Sequence, residues 1–163
     1  MTRLLALWLA LALALTLTPV AQADQRTALY LPVVGARFFT PRVTFADVGK
    51  VIDGDTFWID TDGNGDPDAK VRPIGWDAPE TTWGKHECYG AEATARARIL
   101  LLGRRVALER DVSDSDRYGR LLRYTYVLSG TGTLWLGGEM VGGGYARAKR
   151  YPPDLRYAAR LEA

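Results

Sequence analysis

The chain has 163 residues, of which 47% are hydrophobic and 25% are charged. This length suits one folded domain rather than two independent cores, and this composition excludes disordered and fibrous proteins. The formal net charge of +2 is too small for overall basicity to indicate a nucleic-acid partner, so any such site must come from locally placed arginines.

The first 23 residues have the pattern of a secretory signal peptide. Arg3 supplies a positive charge, residues 4–17 form an almost unbroken apolar run, and Ala21 and Ala23 match an A-x-A cleavage site. The run is shorter than the roughly 20 residues that span a bilayer as a helix, so a permanent membrane anchor is the weaker interpretation. We therefore expect cleavage after Ala23 and secretion or export to a periplasm.

Cys88 is the only cysteine of the chain. No internal disulfide can form, so stability must come from packing or from a metal. We predict that Cys88 is a small buried hydrophobe beside a helix start rather than a nucleophile. The only histidine, His86, lies two residues away on the same predicted loop, and no partner cysteine exists.

Regular structure is expected only from Val43 onward. Residues 24–42 carry prolines and a glycine between short apolar runs, which indicates an extended lead-in. Runs of β-branched, aromatic and apolar residues between turn residues then predict five strands, the first three of them a meander. These strands are expected at residues 43–52, 56–59, 70–76, 106–110 and 121–128.

Helices are predicted in three places. Gly90 to Leu102 has helix-forming composition, and Gly103 is placed to end it. Residues 134–143 suggest a short helix, although each of their four glycines costs about 1 kcal/mol against alanine. Asp154 is predicted to cap a last helix. The sequence leaves open whether the domain of residues 43–163 is truncated in that helix or ends naturally at Ala163.

Three short segments concentrate acidic and arginine side chains. Residues 51–56 read Val-Ile-Asp-Gly-Asp-Thr, residues 72–80 read Arg-Pro-Ile-Gly-Trp-Asp-Ala-Pro-Glu, and residues 116–120 read Asp-Arg-Tyr-Gly-Arg. Together and in this order they make the chain resemble the staphylococcal nuclease (thermonuclease) family, from Val43 to about Tyr151. The resemblance implies a mostly β protein with helices, built on a five-stranded OB-fold barrel. It also implies a calcium-dependent phosphodiesterase that cleaves DNA and RNA, and we expect it to be a monomer.

The same resemblance assigns the acidic residues. It implies that Asp55 and Asp77 ligate calcium together with the backbone carbonyl of Ala78, and that Glu80 is the general base toward water. Calcium prefers oxygen ligands from carboxylates and backbone carbonyls. The family often has Thr at the position of Ala78, but a carbonyl ligand survives that change of side chain. Taken singly, Asp55 is better explained as a turn residue after Gly54, and Asp77 and Glu80 as parts of a solvated loop.

The arginines are assigned in the same way. The resemblance implies that Arg72 and Arg120 contact the scissile phosphate, and that Arg117 and Tyr118 contact a terminal phosphate and a base. Arginine suits phosphate because its planar guanidinium donates two parallel hydrogen bonds and stays charged. For Arg117 and Tyr118, a surface arginine and a half-buried tyrosine are an equally good interpretation.

The acidic run from Asp60 to Asp68 is a separate feature. It matches the opening D-x-D-x-N-G of a calcium loop, but Val71 stands where position twelve requires a bidentate glutamate. The alternatives are a second, structural calcium site and an acidic hairpin tip turned by Asn64 and Gly65.

Two other functions compete with the nuclease hypothesis. One is an OB module that binds nucleic acid without cleaving it, because such barrels commonly bind strands. The other is an extracellular calcium-binding interaction domain centred on residues 60–68. The first does not account for the joint presence of the acidic residues and arginines, and the second explains none of the arginines.

Overall fold

A computed structural model describes residues 42–81, 84, 86–130 and 132–163. The predicted signal peptide and all but the last residue of the predicted lead-in lie outside the described residues. None of the helices in these ranges combines the length and the apolar character that a membrane span requires.

The described residues form eight strands and three helices. In chain order they are β1 (Val43–Asp53), β2 (Thr56–Asp60), β3 (Ala69–Pro73), β4 (Trp76–Asp77), α1 (Gly90–Leu101), β5 (Arg105–Glu109), β6 (Leu121–Ser129), β7 (Gly132–Trp135), α2 (Leu136–Gly142), β8 (Arg147–Ala148) and α3 (Ala158–Glu162).

Five strands close into a barrel. β1 pairs antiparallel with β2 and β5, β2 pairs with β3, and β5 pairs with β6. The parallel pairing of β3 with β6 closes the ring, and β7 extends β6 as a hairpin. This connectivity is that of an OB fold, so the predicted five-stranded barrel is confirmed.

The long strand β1 serves two sides of the barrel. Residues 43–47 pair with β5, and residues 47–53 pair with β2. The register shifts between Val48 and Lys50, as expected for a bulge that bends a strand. A Cβ on Gly49 would lie 2.2 Å from the Pro67 side chain, so only glycine fits at this bend.

The core lies inside the barrel and beneath two of the helices. α1 adds Ala93, Ala97 and Leu101, which recur every four residues and face β1. α2 adds Leu136 and Met140, both with 0% exposure. Burying an apolar side chain of this size stabilises a fold by about 1.5–3 kcal/mol. The barrel strands contribute Ala46, Val48, Val51, Phe57, Ile59, Val71, Val106, Leu108 and Val127.

The predicted strand of residues 70–76 extends too far at its C-terminal end. β3 stops at Pro73, and the chain turns through Ile74 and Gly75, whose φ of +97° lies in the left-handed region that glycine tolerates. Trp76 and Asp77 then form β4, which leaves the barrel and pairs with β8. The turn therefore moves Asp77 out of the barrel sheet and onto a second, two-stranded sheet.

The glycine-rich segment 134–143 begins as a strand rather than as the predicted helix. β7 runs to Trp135, and α2 follows from Leu136. A Cβ on Gly137 would lie 3.1 Å from the Trp76 ring. The absence of a side chain lets α2 approach Trp76, which is 1% exposed. Gly137 thus has a low helix propensity but allows α2 to pack against Trp76.

Two predictions about single residues are also wrong. Asp154 does not cap the last helix, because it is 3% exposed and accepts the backbone N–H groups of Val112 and Ser113 at 2.9 and 2.8 Å. α3 begins later, at Ala158, without a side-chain cap. Cys88 precedes a helix start as predicted, but it is exposed because it lies on the turn before α1.

We predict that Asp154→Ala lowers the free energy of unfolding by about 1–3 kcal/mol, because hydrogen bonds to a charged group contribute on that scale. Urea unfolding followed by circular dichroism measures the change. As a control, Asp47→Ala removes an exposed carboxylate 3.4 Å from Arg105 and should have little effect. Equal losses in both variants would contradict the role of Asp154.

Candidate active site

The β1–β2 turn carries two buried carboxylates. Asp53 and Asp55 are 6% and 7% exposed, and the backbone N–H of Asp55 donates to Asp53 Oδ1 at 3.1 Å. A Cβ on Gly54 would lie 2.6 Å from the Ala78 side chain and 3.2 Å from that of Ala93. The glycine thus lets the turn press against the segment after β4 and against α1.

Arg72 joins the predicted metal ligands. Its guanidinium forms ion pairs with the carboxylates of Asp55 and Asp77, and it donates to the hydroxyl of Tyr151 at 3.0 Å. The backbone N–H of Ala78 donates to Asp55 Oδ2 at 2.8 Å. The structure therefore brings Asp55, Asp77 and Ala78 to one place, around a guanidinium whose side chain is only 11% exposed.

Several hydrogen-bond donors surround the carboxylate of Asp77. Lys149 Nζ lies 2.8 Å from its Oδ2, and the Tyr151 hydroxyl donates to its Oδ1 at 3.1 Å. Burial acts to raise the pKa of Asp77, but the hydrogen bond from Lys149 and the charge of Arg72 outweigh it, so this pKa is lowered. The hydrogen bond to Asp77 in turn raises the pKa of Lys149. Asp77 is therefore an ionised oxygen donor.

The predicted metal ligands are of the kind that a hard cation binds. They are two carboxylates and a backbone carbonyl, which are ligands that calcium accepts. In the described part of the chain no group of three or more His, Cys, Asp or Glu side chains is placed to hold a metal ion. A cation at Asp55 and Asp77 would therefore take its remaining ligands from water or phosphate.

A cleft of about 820 Å³ holds three of the other four predicted residues. Glu80, Tyr118 and Arg120 line it together with Asp53 and residues of β1, β2 and β3. The backbone N–H of Glu80 donates to Glu87 at 2.9 Å, and Glu80 Oε1 accepts the N–H of Thr81 at 3.0 Å. The first bond holds the backbone at Glu80, and the second orients its carboxylate.

Asp53 is a member of this site to which the sequence assigned no role. Burial raises its pKa, and the negative charge of Glu80 raises it further, while a hydrogen bond from Thr56 and the charge of Arg72 act in the opposite direction. A buried carboxyl group close to a like charge in a cleft is typical of functional sites. The signal in the sequence was its position one residue before Gly54, in the same motif as Asp55.

Arg120 is held rigidly by its own turn. Its Nε and Nη2 lie 2.8 and 2.7 Å from Asp116 Oδ2, while Asp116 Oδ1 accepts the N–H groups of Tyr118 and Arg120. Gly119 adopts a φ of +75°, which permits the tight turn. The ring of Tyr118 lies 4.8 Å from the Arg117 guanidinium and 5.5 Å from that of Arg120. Arg117, Tyr118 and Arg120 therefore form one cationic and aromatic group at the cleft.

The acidic loop of residues 60–68 uses its carboxylates internally. Both oxygens of Asp60 accept backbone N–H groups, from Gly63 and Gly65, at 2.7 Å each. Asp68 accepts from the backbone and the hydroxyl of Thr61. The hydrogen bond from Gly65 is the main reason why the pKa of Asp60 is lowered. These contacts favour the hairpin-tip interpretation over a second calcium site.

Comparison with known proteins places this chain in a family. The family model of staphylococcal nuclease homologues matches residues 70–163. The chain belongs to the staphylococcal nuclease family. Residues 70–163 contain Arg72, Asp77, Glu80 and Arg120, while the turn with Asp53 and Asp55 lies before them.

Individual relatives are similar over up to 71% of the chain. The chain is 41% identical over 122 residues to the thermonuclease of Staphylococcus intermedius, covering 71% of this chain and 66% of that protein. It is 39% identical over 120 residues to the thermonuclease of Staphylococcus hyicus, covering 69% and 64%. It is also 39% identical over 82 residues to the SPbeta prophage-derived endonuclease YokF of Bacillus subtilis, covering 48% and 26%. The chain thus spans slightly less than two thirds of the length of the two thermonucleases.

We predict that Asp116→Asn makes stability less sensitive to acid. Burial acts to raise the pKa of Asp116, but the hydrogen bond from Arg120 outweighs it and lowers this pKa from its ordinary value of 3.8. A carboxyl group whose pKa is lower in the folded state stabilises the fold at pH values above its ordinary, unfolded pKa. This stabilisation is lost as the pH falls through the folded pKa.

The melting temperature of Asp116→Asn should therefore lie below that of the wild type near neutral pH, and the two should converge as the pH falls below about 3.8. Thermal unfolding across a pH series measures this. A difference that stays constant with pH would contradict the assignment.

Proposed function

We propose that the chain is a nuclease that hydrolyses phosphodiester bonds of DNA and RNA with the help of calcium. The observation that carries this proposal is the joint placement of Glu80 and Arg120 in one cleft, next to the Arg72 guanidinium that joins Asp55 and Asp77. The thermonucleases and the endonuclease to which the chain is similar support the same class of reaction.

Calcium fits the oxygen donors of Asp55, Asp77 and Ala78. When bound there, it would supply positive charge that polarises a phosphate oxygen and offsets the charge that develops at phosphorus. The chain's part is to hold two carboxylates at one point. Arg72 and Lys149 do this by neutralising part of the repulsion between them.

Glu80 is proposed as the group that takes a proton from the attacking water. Its carboxylate is fixed by the N–H of Thr81 at 3.0 Å and faces the cleft that Arg120 also lines. A positioned base typically contributes about 10² to 10⁴ in rate.

The two arginines are proposed to bind the phosphate whose charge increases during the reaction. Arg120 is suited to this because Asp116 holds its guanidinium in place and leaves the side chain 26% exposed. Donors oriented before the reaction cost no reorganisation when charge develops, so they are often the larger contribution to rate. Arg117 and Tyr118 are more exposed and are proposed to hold a neighbouring phosphate and base.

A binding module without catalysis explains this site less well. Strand binding needs exposed cations and aromatic rings. Here Asp53 and Asp55 are buried, although buried carboxylates are unfavourable unless they are paired. Cation binding and catalysis give a reason for these buried carboxylates, whereas affinity for a nucleic-acid strand does not.

Export is part of the proposal. The positive charge at Arg3, the apolar run of residues 4–17 and the A-x-A pattern that ends at Ala23 support secretion or a periplasmic location. Comparing the N-terminus of the protein recovered from the medium or the periplasm with that of the cytoplasmic precursor tests this.

We predict cleavage of single-stranded DNA, duplex DNA and RNA in calcium, and none in chelator. Asp77→Asn should abolish most of this activity and weaken calcium binding measured by titration calorimetry, because it removes a charged ligand. Asp66→Asn, an exposed change in the loop of residues 60–68, serves as the control and should leave both unchanged. A folded wild-type chain that cleaves none of the substrates in calcium would end the nuclease proposal.

We predict that Arg120→Ala lowers kcat by about 10² or more, whereas Arg117→Ala mainly raises KM. A group that binds a remote phosphate acts on the ground state and the transition state alike, so its loss leaves kcat nearly unchanged. Steady-state kinetics on a short oligonucleotide separates the two, and Arg105→Ala on the surface of β5 is a matched control. A near-normal kcat in Arg120→Ala would remove that residue from the catalytic set.

Arg72 is a less suitable residue for this comparison. Its removal would leave the carboxylates of Asp55 and Asp77 without their shared partner, and breaking a buried pair typically costs about 3–5 kcal/mol. A loss of activity in Arg72→Ala would therefore mix catalysis with stability.

A further inference from the structure

A second cleft adjoins the candidate active site. It has a volume of about 720 Å³ and is lined by Asp77 and Pro79, by residues 87–89 and by residues 144–149. The first cleft is bordered by Glu80. Neighbouring residues of the segment from Asp77 to Glu80 therefore border both clefts, and a chain molecule that passes this segment could reach both.

A pair of tyrosine rings lines this second cleft. The rings of Tyr89 and Tyr145 are stacked, with centroids 5.8 Å apart and planes inclined by 20°. Tyr89 remains 46% exposed despite this contact. The Arg96 guanidinium of α1 lies 5.8 Å from the Tyr145 ring. Arg96 also pairs with Glu139 of α2 at 3.1 Å, and these contacts hold Tyr145 in place. The cleft thus contains an exposed aromatic ring supported by a second ring.

The backbone at Tyr89 is strained. Its φ of +70° lies in the left-handed region, and among the described non-glycine residues it is the only one with a positive φ. A bulky aromatic residue rarely adopts this conformation, and strained residues cluster at ligand-binding sites. The same residue precedes α1 and makes no side-chain cap for it. Helix capping therefore gives no reason for a tyrosine here.

The wall beside the rings is cationic. β8 pairs with β4 so that Arg147 lies opposite Asp77, and Lys149 Nζ contacts Asp77 Oδ2 at 2.8 Å. Glu87, the other acidic residue of the lining, accepts the backbone N–H of Glu80. Arg147 is exposed and forms no ion pair within the described ranges. Its charge is therefore available to an anionic ligand.

We propose that the second cleft binds an unpaired nucleotide of the substrate strand, next to the phosphate that is cleaved. The base stacks on Tyr89, and Arg147 binds the phosphate of that nucleotide. Stacking on an aromatic side chain needs an exposed base face and tolerates any base, so the ligand is single-stranded nucleic acid of any sequence. This inference rests on the proposed function, because it extends the same site by one nucleotide.

Binding in chelator tests the inference without cleavage. Fluorescence anisotropy with a labelled single-stranded oligothymidylate gives the dissociation constant. We expect Tyr89→Leu and Arg147→Met each to raise it about tenfold, on the scale of one lost base stack or phosphate contact. Tyr89→Phe keeps the ring and should bind like the wild type. Phe45→Leu removes an aromatic residue of β1 that is 55% exposed and outside both linings, and it should change nothing.

A second measurement locates the effect. Steady-state kinetics in calcium shows whether the effect lies in binding or in catalysis. For an oligonucleotide, Tyr89→Leu and Arg147→Met should raise KM and leave kcat unaltered. Circular dichroism spectra and melting temperatures check that each variant is folded.

The outcomes are distinguishable. If the dissociation constants of Tyr89→Leu and Arg147→Met equal that of the wild type, the second-cleft inference is wrong, whatever the activity in calcium. If the wild type cleaves nothing in calcium but the two variants lose affinity as expected, the nuclease proposal fails and the strand-binding cleft stands. An equal loss in Tyr89→Phe would also overturn the stacking role, because that variant keeps the ring.

Discussion

The ion pairs of one guanidinium hold the candidate site together. Arg72 bridges the carboxylates of Asp55 and Asp77, and its side chain is only 11% exposed. A cation site needs ionised carboxylates close to one another, but such groups repel and lose hydration when buried. Pairing with Arg72 offsets both costs and holds the two carboxylates in place. The same interaction thus holds together the carboxylates that the proposed cation site uses.

The barrel brings the members of this ion-pair group together from distant parts of the chain. The parallel pairing of β3 with β6 sets Arg72 beside Leu122, and the β1–β2 turn presents Asp55 to it. The turn at Gly75 then directs β4 to β8, which places Lys149 against Asp77. Closing the barrel is therefore a condition for building the site as well as for burying the core.

Several features of the site reduce the stability of the fold. Asp53 carries a raised pKa because it is buried and lies near Glu80, and Tyr89 holds a left-handed backbone. Unfavourable local states of this kind persist where the surrounding structure imposes them, and they gather at functional sites. The two residues line different clefts, and neighbouring residues of the segment from Asp77 to Glu80 border both.

The sequence by itself determined the features that depend on neighbours a few residues apart. Its β-rich runs and turn residues placed the barrel strands and the end of α1 at Gly103, and the three motifs named residues that the fold brings together. Only the tertiary structure decided where a side chain finds a distant partner. Asp154 binds the backbone of residues 112 and 113 instead of capping a helix, and Tyr89 stacks on Tyr145. The physical reason is that periodicity and turn chemistry record local conformation, whereas ion pairs, buried charges and stacked rings arise from chain segments that meet only when the barrel closes.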